Sequence, residues 1–310
     1  MNIAQKTTII ADLALLGVNV IWGATFVTMK QLLGSISFPT ILLGRFLIAT
    51  LCLLGLSYSK KWERRVFRNG AILGMALFGG YFFQTWGLCY TTPARSAFVT
   101  GLSALFVPIL VYWIFKKKID TWTSTGIVVA LFGLILLTLR GGEATYQEWW
   151  GDFLTALGAF AYAVQIVLVE KFSQEDTLPL VTAEMATVTC LSFLLFFGSG
   201  NRNLSLSFPQ WLSIGFLGVV ATALTFTVQK LAQKHTPAIH AGLIFISEPV
   251  FAAFFSYFLW QERFTSTAVA GCILILFGIL LPQIKTLVTP VVPLPQPSGQ
   301  TLTLPDRGDQ

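Results

Sequence analysis

In the stretch ISEPVFAAFFSYFLWQE, residues 246–262, a carboxyl and a proline stand side by side inside a run apolar enough for the interior of a bilayer. Pro249 has no backbone N–H and its ring obstructs the preceding turn, so a helix through it kinks and leaves a carbonyl near position 245 without its usual donor. Irregular backbone at that depth survives only beside water or a polar partner. Glu248 sits where the kink opens, and a carboxyl there can take and release a proton as water reaches it from alternating sides. The competing reading makes Glu248 a protonated cap on the broken helix. His240 and Ser247, seven apart on a neighbouring face, extend a polar path from it.

Other polar side chains recur at helical spacing. Ser96, Thr100 and Ser103 fall at i, i+4, i+7, and Thr222, Thr225 and Gln229 at i, i+3, i+7. Tyr81, Gln84 and Thr85 cluster, as do Thr155, Tyr162 and Gln165, while Asn19 and Trp22 are three apart. Polar groups facing lipid are costly, so such stripes point to a cavity or a helix contact. Single Ser and Thr residues often bond their own backbone carbonyl instead; Trp, Tyr and Gln tips have no such local partner. The candidate solute-binding set is Asn19, Trp22, Tyr81, Gln84, Thr100, Ser103, Tyr162, Gln165, Thr225, Gln229, His240 and Ser247, with Glu248 as the candidate proton-coupling group. Aromatic members, with Trp86, suit a solute with an apolar part.

Arg45 and Glu184 are the remaining charges deep inside apolar segments, each facing a cost of about 3 kcal/mol or more at the bilayer centre. One reading makes Arg45 the binder of a solute carboxylate; the favoured reading makes both structural charges, paired with an opposite charge or with carbonyl oxygens. A catalytic constellation is missing: the chain has 2 histidines, no HExxH and no paired acids, and Cys52, Cys89, Cys190 and Cys272 lack metal-ligand spacing. A membrane-embedded enzyme is therefore the weaker alternative, and neither metal nor cofactor is expected.

Composition sets the elements that must position these groups. The 310 residues are 55% hydrophobic and only 11% charged, where a soluble domain has about a quarter charged. Mean hydropathy is +0.72. A bilayer core about 30 Å thick takes roughly 20 apolar residues per helix. Ten segments of that kind fall near 11–29, 38–58, 70–90, 94–115, 121–139, 151–169, 179–197, 211–228, 238–260 and 266–284. The first reads as a helix rather than a signal peptide, because its apolar run is long and lacks a small-x-small cleavage site.

With a cytoplasmic N-terminus, the inner loops hold Lys6, Lys60, Lys61, Arg64, Arg65, Arg68, Lys116, Lys117, Lys118, Lys171, Lys230, Lys234, Lys285 and Arg307. The outer loops hold only Lys30, Arg95, Arg140, Arg202 and Arg263. This bias predicts both termini inside. The net charge of +6 serves that bias and anionic lipid head groups, not nucleic acid. Residues 286–310, with five prolines between Pro290 and Pro305, read as a disordered cytoplasmic tail.

The two halves resemble one another. TPA occurs at Thr92–Ala94 and Thr236–Ala238, GIVVALFGLILL from Gly126 matches GCILILFGILLP from Gly271, and Asp12 and Trp22 align with Asp152 and Tyr162. Each half holds five helices, an odd number, so the second must be inverted relative to the first. Inverted repeats mark secondary transporters, with the solute near the midplane between the halves.

VIWGATFV (Val20–Val27), LGRFLIA (Leu43–Ala49) and above all the run from Ser247 to Leu281 resemble the EamA domains of the drug/metabolite transporter superfamily, over about 12–284. The resemblance implies an all-α membrane protein of ten transmembrane helices in two inverted five-helix repeats, 8–140 and 150–285. It also implies that segments 1, 3, 4, 6, 8 and 9 surround a central cavity while 2, 5, 7 and 10 pack behind. Members move amino acids, metabolites and drugs, so the expected activity is transport of a small organic solute across a bacterial cytoplasmic (inner) membrane by alternating access. Proton-coupled export and an uncoupled facilitator both fit the sequence, and oligomeric state is left open.

Overall fold

The computed structural model describes residues 3–138, 145–200 and 206–288, and all regular structure among them is helical. Ten helices follow one another: α1 (Ile3–Leu33), α2 (Phe38–Ser57), α3 (Arg64–Leu88), α4 (Pro93–Phe115), α5 (Thr121–Thr138), α6 (Tyr146–Lys171), α7 (Thr177–Gly198), α8 (Phe208–Gln233), α9 (Ala238–Leu259) and α10 (Ser266–Val288). Eight are long and apolar enough to cross a bilayer; α5 and α10 carry shorter apolar stretches, Thr121–Leu136 and Ser266–Pro282. Arg140, Arg202 and Arg307 lie outside the described residues, as does the expected tail except for 286–288, which continue α10.

Helix is the form in which each backbone N–H finds a carbonyl without help from water, which lipid withholds. The outward faces carry what lipid requires: Leu51 and Leu54 on α2, Phe132 and Ile135 on α5, and Ile273 and Phe277 on α10 are all exposed. Helix starts are fixed locally. Thr145 and Glu148 form a reciprocal capping box at the start of α6, and the Ser207 N–H donates to Gln210 Oε1 at 2.8 Å at the start of α8.

Two seams of glycine show how the halves meet. On α5 and α10, a Cβ on Gly126 would stand 2.6 Å from the Gly278 carbonyl oxygen, and one on Gly133 2.6 Å from that of Gly271. The aligned motifs make Gly126 equivalent to Gly271, and Gly133 to Gly278. The contacts are therefore reciprocal between equivalent, antiparallel helices, as an inverting two-fold axis requires. Likewise the Pro93–Gly101 part of α4 packs on the Glu248–Leu259 part of α9, and Ser103–Phe115 on Ala238–Phe245. Between α3 and α6, Gly87 meets Gly151 and Gly80 meets Gly158, again antiparallel.

Three helices are irregular at depth. α9 stops at Phe245 and restarts at Glu248, with Pro249 in the first turn of the new segment, where its missing N–H costs nothing. α4 breaks at Leu102, which the TPA alignment makes equivalent to Ile246. Pro108, the proline inside α4, lies within the intact segment Ser103–Phe115. The break falls instead beside Gly101, where a Cβ would stand 3.3 Å from Pro249 Cγ. A residue without a side chain both weakens the helix and admits the neighbouring break.

In α8, Val219–Leu224 forms a π-helical turn. Thr222 Oγ1 donates to the Leu217 carbonyl at 2.7 Å, and the Ala221 carbonyl becomes free to serve other helices.

Candidate functional site

A cavity lies at the junction of α1, α3, α4, α6, α8 and α9, the six helices that the family resemblance implies. α1 contributes Trp22 and Thr25, α3 Tyr81 and Gln84, and α4 Thr100 and Ser103. α6 adds Tyr162, Gln165 and Ile166, α8 Phe226 and Gln229, and α9 Phe245 and Glu248. Its free volume is about 40 Å³. That is far below the roughly 300–1,000 Å³ of a pocket for a small organic ligand, so an organic solute enters only when the helices part.

The broken segment of α9 is braced from α1. Asn19 Nδ2 donates to the Ile244 carbonyl and to Ser247 Oγ, both at 2.8 Å. Asn19 is thus the polar partner that a helix break in lipid needs, and neither it nor Ser247 lines the cavity. Glu248, at the start of the new segment, is half-buried and has no hydrogen bond or ion pair within the described protein. The helix-cap reading of Glu248 therefore finds no bond to support it.

Arg45 on α2 is 1% exposed. Its Nε donates to Thr222 Oγ1 at 2.7 Å, and one terminal nitrogen donates to the Tyr81 hydroxyl at 2.8 Å and the Ala221 carbonyl at 3.0 Å. The guanidinium carbon lies 4.5 Å from the centroid of the Tyr81 ring. The π-helical turn of α8 thus exists beside a buried cation that uses its spare carbonyl. The same carbonyl and Thr225 Oγ1 hold the Trp22 indole N–H, at 3.3 and 3.0 Å.

Two polar clusters close the cavity along its length. Toward the end where α3 finishes and α4 begins, the Tyr162 hydroxyl donates to Gln84 Oε1 at 2.8 Å, and Gln84 Nε2 donates to Thr100 Oγ1 at 2.8 Å. Trp22 and Tyr162, aligned in the two halves, therefore each reach the third helix of the opposite half. Toward the end where α8 finishes, Gln229 Nε2 donates to Gln165 Oε1 at 3.3 Å and to Gln233 Oε1 at 2.9 Å. Gln165 Nε2 donates to Glu184 Oε1 at 3.0 Å, and Glu184 is ion-paired with Lys230. The Gln229 Oε1 atom is buried without a partner.

Lys230 is a correction to the sequence reading, which placed it in an inner loop. It is 2% exposed within α8, and Glu184 is 0% exposed. α8 runs to Gln233, past the hydropathy limit near 228, because Gln229, Lys230 and Gln233 find their partners on α6 and α7. Glu184 accordingly pairs with Lys230, while Arg45 relies on hydroxyls and a carbonyl.

Of the other candidates, Thr225 serves Trp22, and His240 Nε2 lies 3.3 Å from Thr123 Oγ1 against α5, away from the cavity. Trp86 stacks among Phe38, Phe82 and Trp150 rather than lining it. Thr25, Ile166, Phe226 and Phe245 were not singled out in the sequence. Thr25 carried a signal, three residues after Trp22; the three apolar residues match lipid-facing ones in type. Outside the cavity, two ion pairs tie α4 and the loop that follows it to α6: Arg95 to Asp152 at 2.5 Å, and Lys117 to Glu170 at 2.7 Å.

A cavity lined by polar and aromatic side chains between two antiparallel repeats of membrane-spanning helices defines the class, a membrane transporter. Residues 9–139 and 149–282 each match the EamA-like transporter family, and the chain belongs to that family. An Archaeoglobus fulgidus protein named as an uncharacterized transporter is 28% identical over 278 residues, covering 89% of this chain and 86% of its own. The uncharacterized transporter YoaV of Bacillus subtilis is 22% identical over 283 residues, covering 87% and 95%. A crystal structure superposes with a TM-score of 0.74 at 17% identity, covering 88% of this chain and 96% of the other, which supports the fold.

Proposed function

We propose that the protein moves a small organic solute, an amino acid, metabolite or drug-like amphiphile, through the central cavity by alternating access, with Glu248 carrying the coupling proton. The observation that supports this most is a carboxyl without a hydrogen bond or ion pair among the described residues, on the wall of a cavity lined by polar and aromatic side chains, at a helix break where the two repeats meet. Such a group is stable at that depth by binding a proton, water or a cationic group of the solute, so its occupancy changes as access changes. The repeats 8–140 and 150–285 act as the two bodies, and the Gln84–Tyr162 and Gln165–Gln229 bonds as the closures at either end. The excess of Lys and Arg in one set of loops supports cytoplasmic termini, with proton-coupled export across a bacterial inner membrane as the physiological direction.

The test is uptake of a labelled panel of amino acids and cationic amphiphiles into proteoliposomes with and without an imposed pH gradient. Accumulation above equilibrium only with the gradient is the expected result. Equilibration unaffected by the gradient makes the protein an uncoupled facilitator and removes the coupling role from Glu248.

A further inference from the structure

Arg45 and Lys230 are both buried cations near the cavity, but they are neutralised differently. Lys230 has Glu184. Arg45 makes its bonds to two hydroxyls and a carbonyl, all uncharged, and no described carboxylate lies in ion-pair range of it. A guanidinium keeps its charge under all physiological conditions; Glu248 on the same wall feels that charge from beyond ion-pair range, so the field also acts on whatever the cavity holds.

Tyr81 is the point at which that field reaches the cavity wall. Arginine has no acceptor, so in the 2.8 Å bond the tyrosine oxygen accepts and its own O–H proton must go elsewhere. No acceptor for it is found within the described protein, and Tyr81 lines the cavity. The contrast with Tyr162 is direct, because that hydroxyl is already donated to Gln84. A phenol that accepts from a cation is a strengthened donor, and strengthened donors in a low-dielectric site favour an anionic acceptor.

We infer that the transported solute carries a carboxylate, seated on the Tyr81 hydroxyl with the Arg45 charge behind it. This rests on the cavity being the solute site. Trp22, Phe226 and Phe245 offer an apolar surface to the body of the solute beyond that contact. Arg45 is then a specificity-determining residue that acts through Tyr81, and Tyr81 is the group in contact. An ammonium on the same solute is compatible with Glu248 on the same wall.

Calorimetric titration of the full-length protein in detergent tests the inference with two matched pairs, 3-phenylpropionate against 3-phenylpropionamide and phenylalanine against phenylalaninamide. The acid of at least one pair is expected to bind at least tenfold tighter than its amide. Tyr81→Phe keeps the ring and the fold but removes the proton, and brings the acid-to-amide ratio to about one; Arg45→Gln, where it folds, does the same. Retention of the wild-type ratio in Tyr81→Phe overturns the inference. Equal binding of acid and amide in the wild type overturns it too, while the cavity reading stands. Binding by none of the four probes overturns both.

Discussion

Glu248→Gln proteoliposomes are expected to equilibrate a solute that the wild type concentrates about tenfold for each unit of pH gradient. One proton exchanged per solute stores about 1.4 kcal/mol per pH unit, which is a factor of ten in concentration. Glutamine keeps the shape and the hydrogen-bonding capacity of a protonated carboxyl and loses only the ability to titrate. Glu248 makes no bond inside the described protein, so the substitution leaves no partner stranded and the fold should be unaffected. Downhill exchange therefore persists while uphill accumulation falls to onefold. Accumulation equal to the wild type in this variant contradicts the assignment.

The second large effect concerns stability. Lys230→Met leaves Glu184 as a buried acid with only Gln165 beside it, and is expected to cost about 3–5 kcal/mol, the usual penalty for removing one partner of a buried pair. The double replacement Glu184→Leu with Lys230→Met removes both charges and should lie near the wild type or above it. Thermal unfolding midpoints of the purified proteins separate the cases. The double variant should recover most of what the single one loses. A double variant as unstable as Lys230→Met contradicts the view that α7 and α8 are held by charge compensation and not by irreplaceable geometry.

Much of this architecture is written in patterns that lipid imposes. The lengths of the apolar runs gave ten helices, and the repeated Leu-Phe-Gly and TPA motifs gave two equivalent halves, because a glycine seam tolerates no side chain at its crossing points. Trp22, Tyr81, Gln84, Tyr162 and Gln165 were legible as cavity candidates, since a large polar tip in a membrane helix has no cheap local partner. The wall contributed by Ile166, Phe226 and Phe245 was not legible, because an apolar residue facing a cavity and one facing lipid are the same in composition.

Lys230 was misread for a related reason: hydropathy ends a helix at the first polar cluster, yet here that cluster is satisfied by neighbouring helices. Asn19 was found as a polar residue in the right place with a different task. Its partner is a backbone carbonyl 225 positions away, and spacing along one helix does not reveal such a contact. Nor does a proline alone locate a helix break, as the intact turn around Pro108 and the break beside Gly101 show.

The central claim is that one cavity between the repeats opens to each side of the membrane in turn, and cysteine accessibility at Ser103 tests it most directly. Ser103 lines the cavity beside the break in α4. In a background with Cys52, Cys89, Cys190 and Cys272 replaced by alanine, Ser103→Cys should react with a membrane-impermeant maleimide added from either face of oriented vesicles. A transported solute should slow both reactions. Reaction from one face only, whatever the solute gradient, or from neither, contradicts alternating access through this cavity.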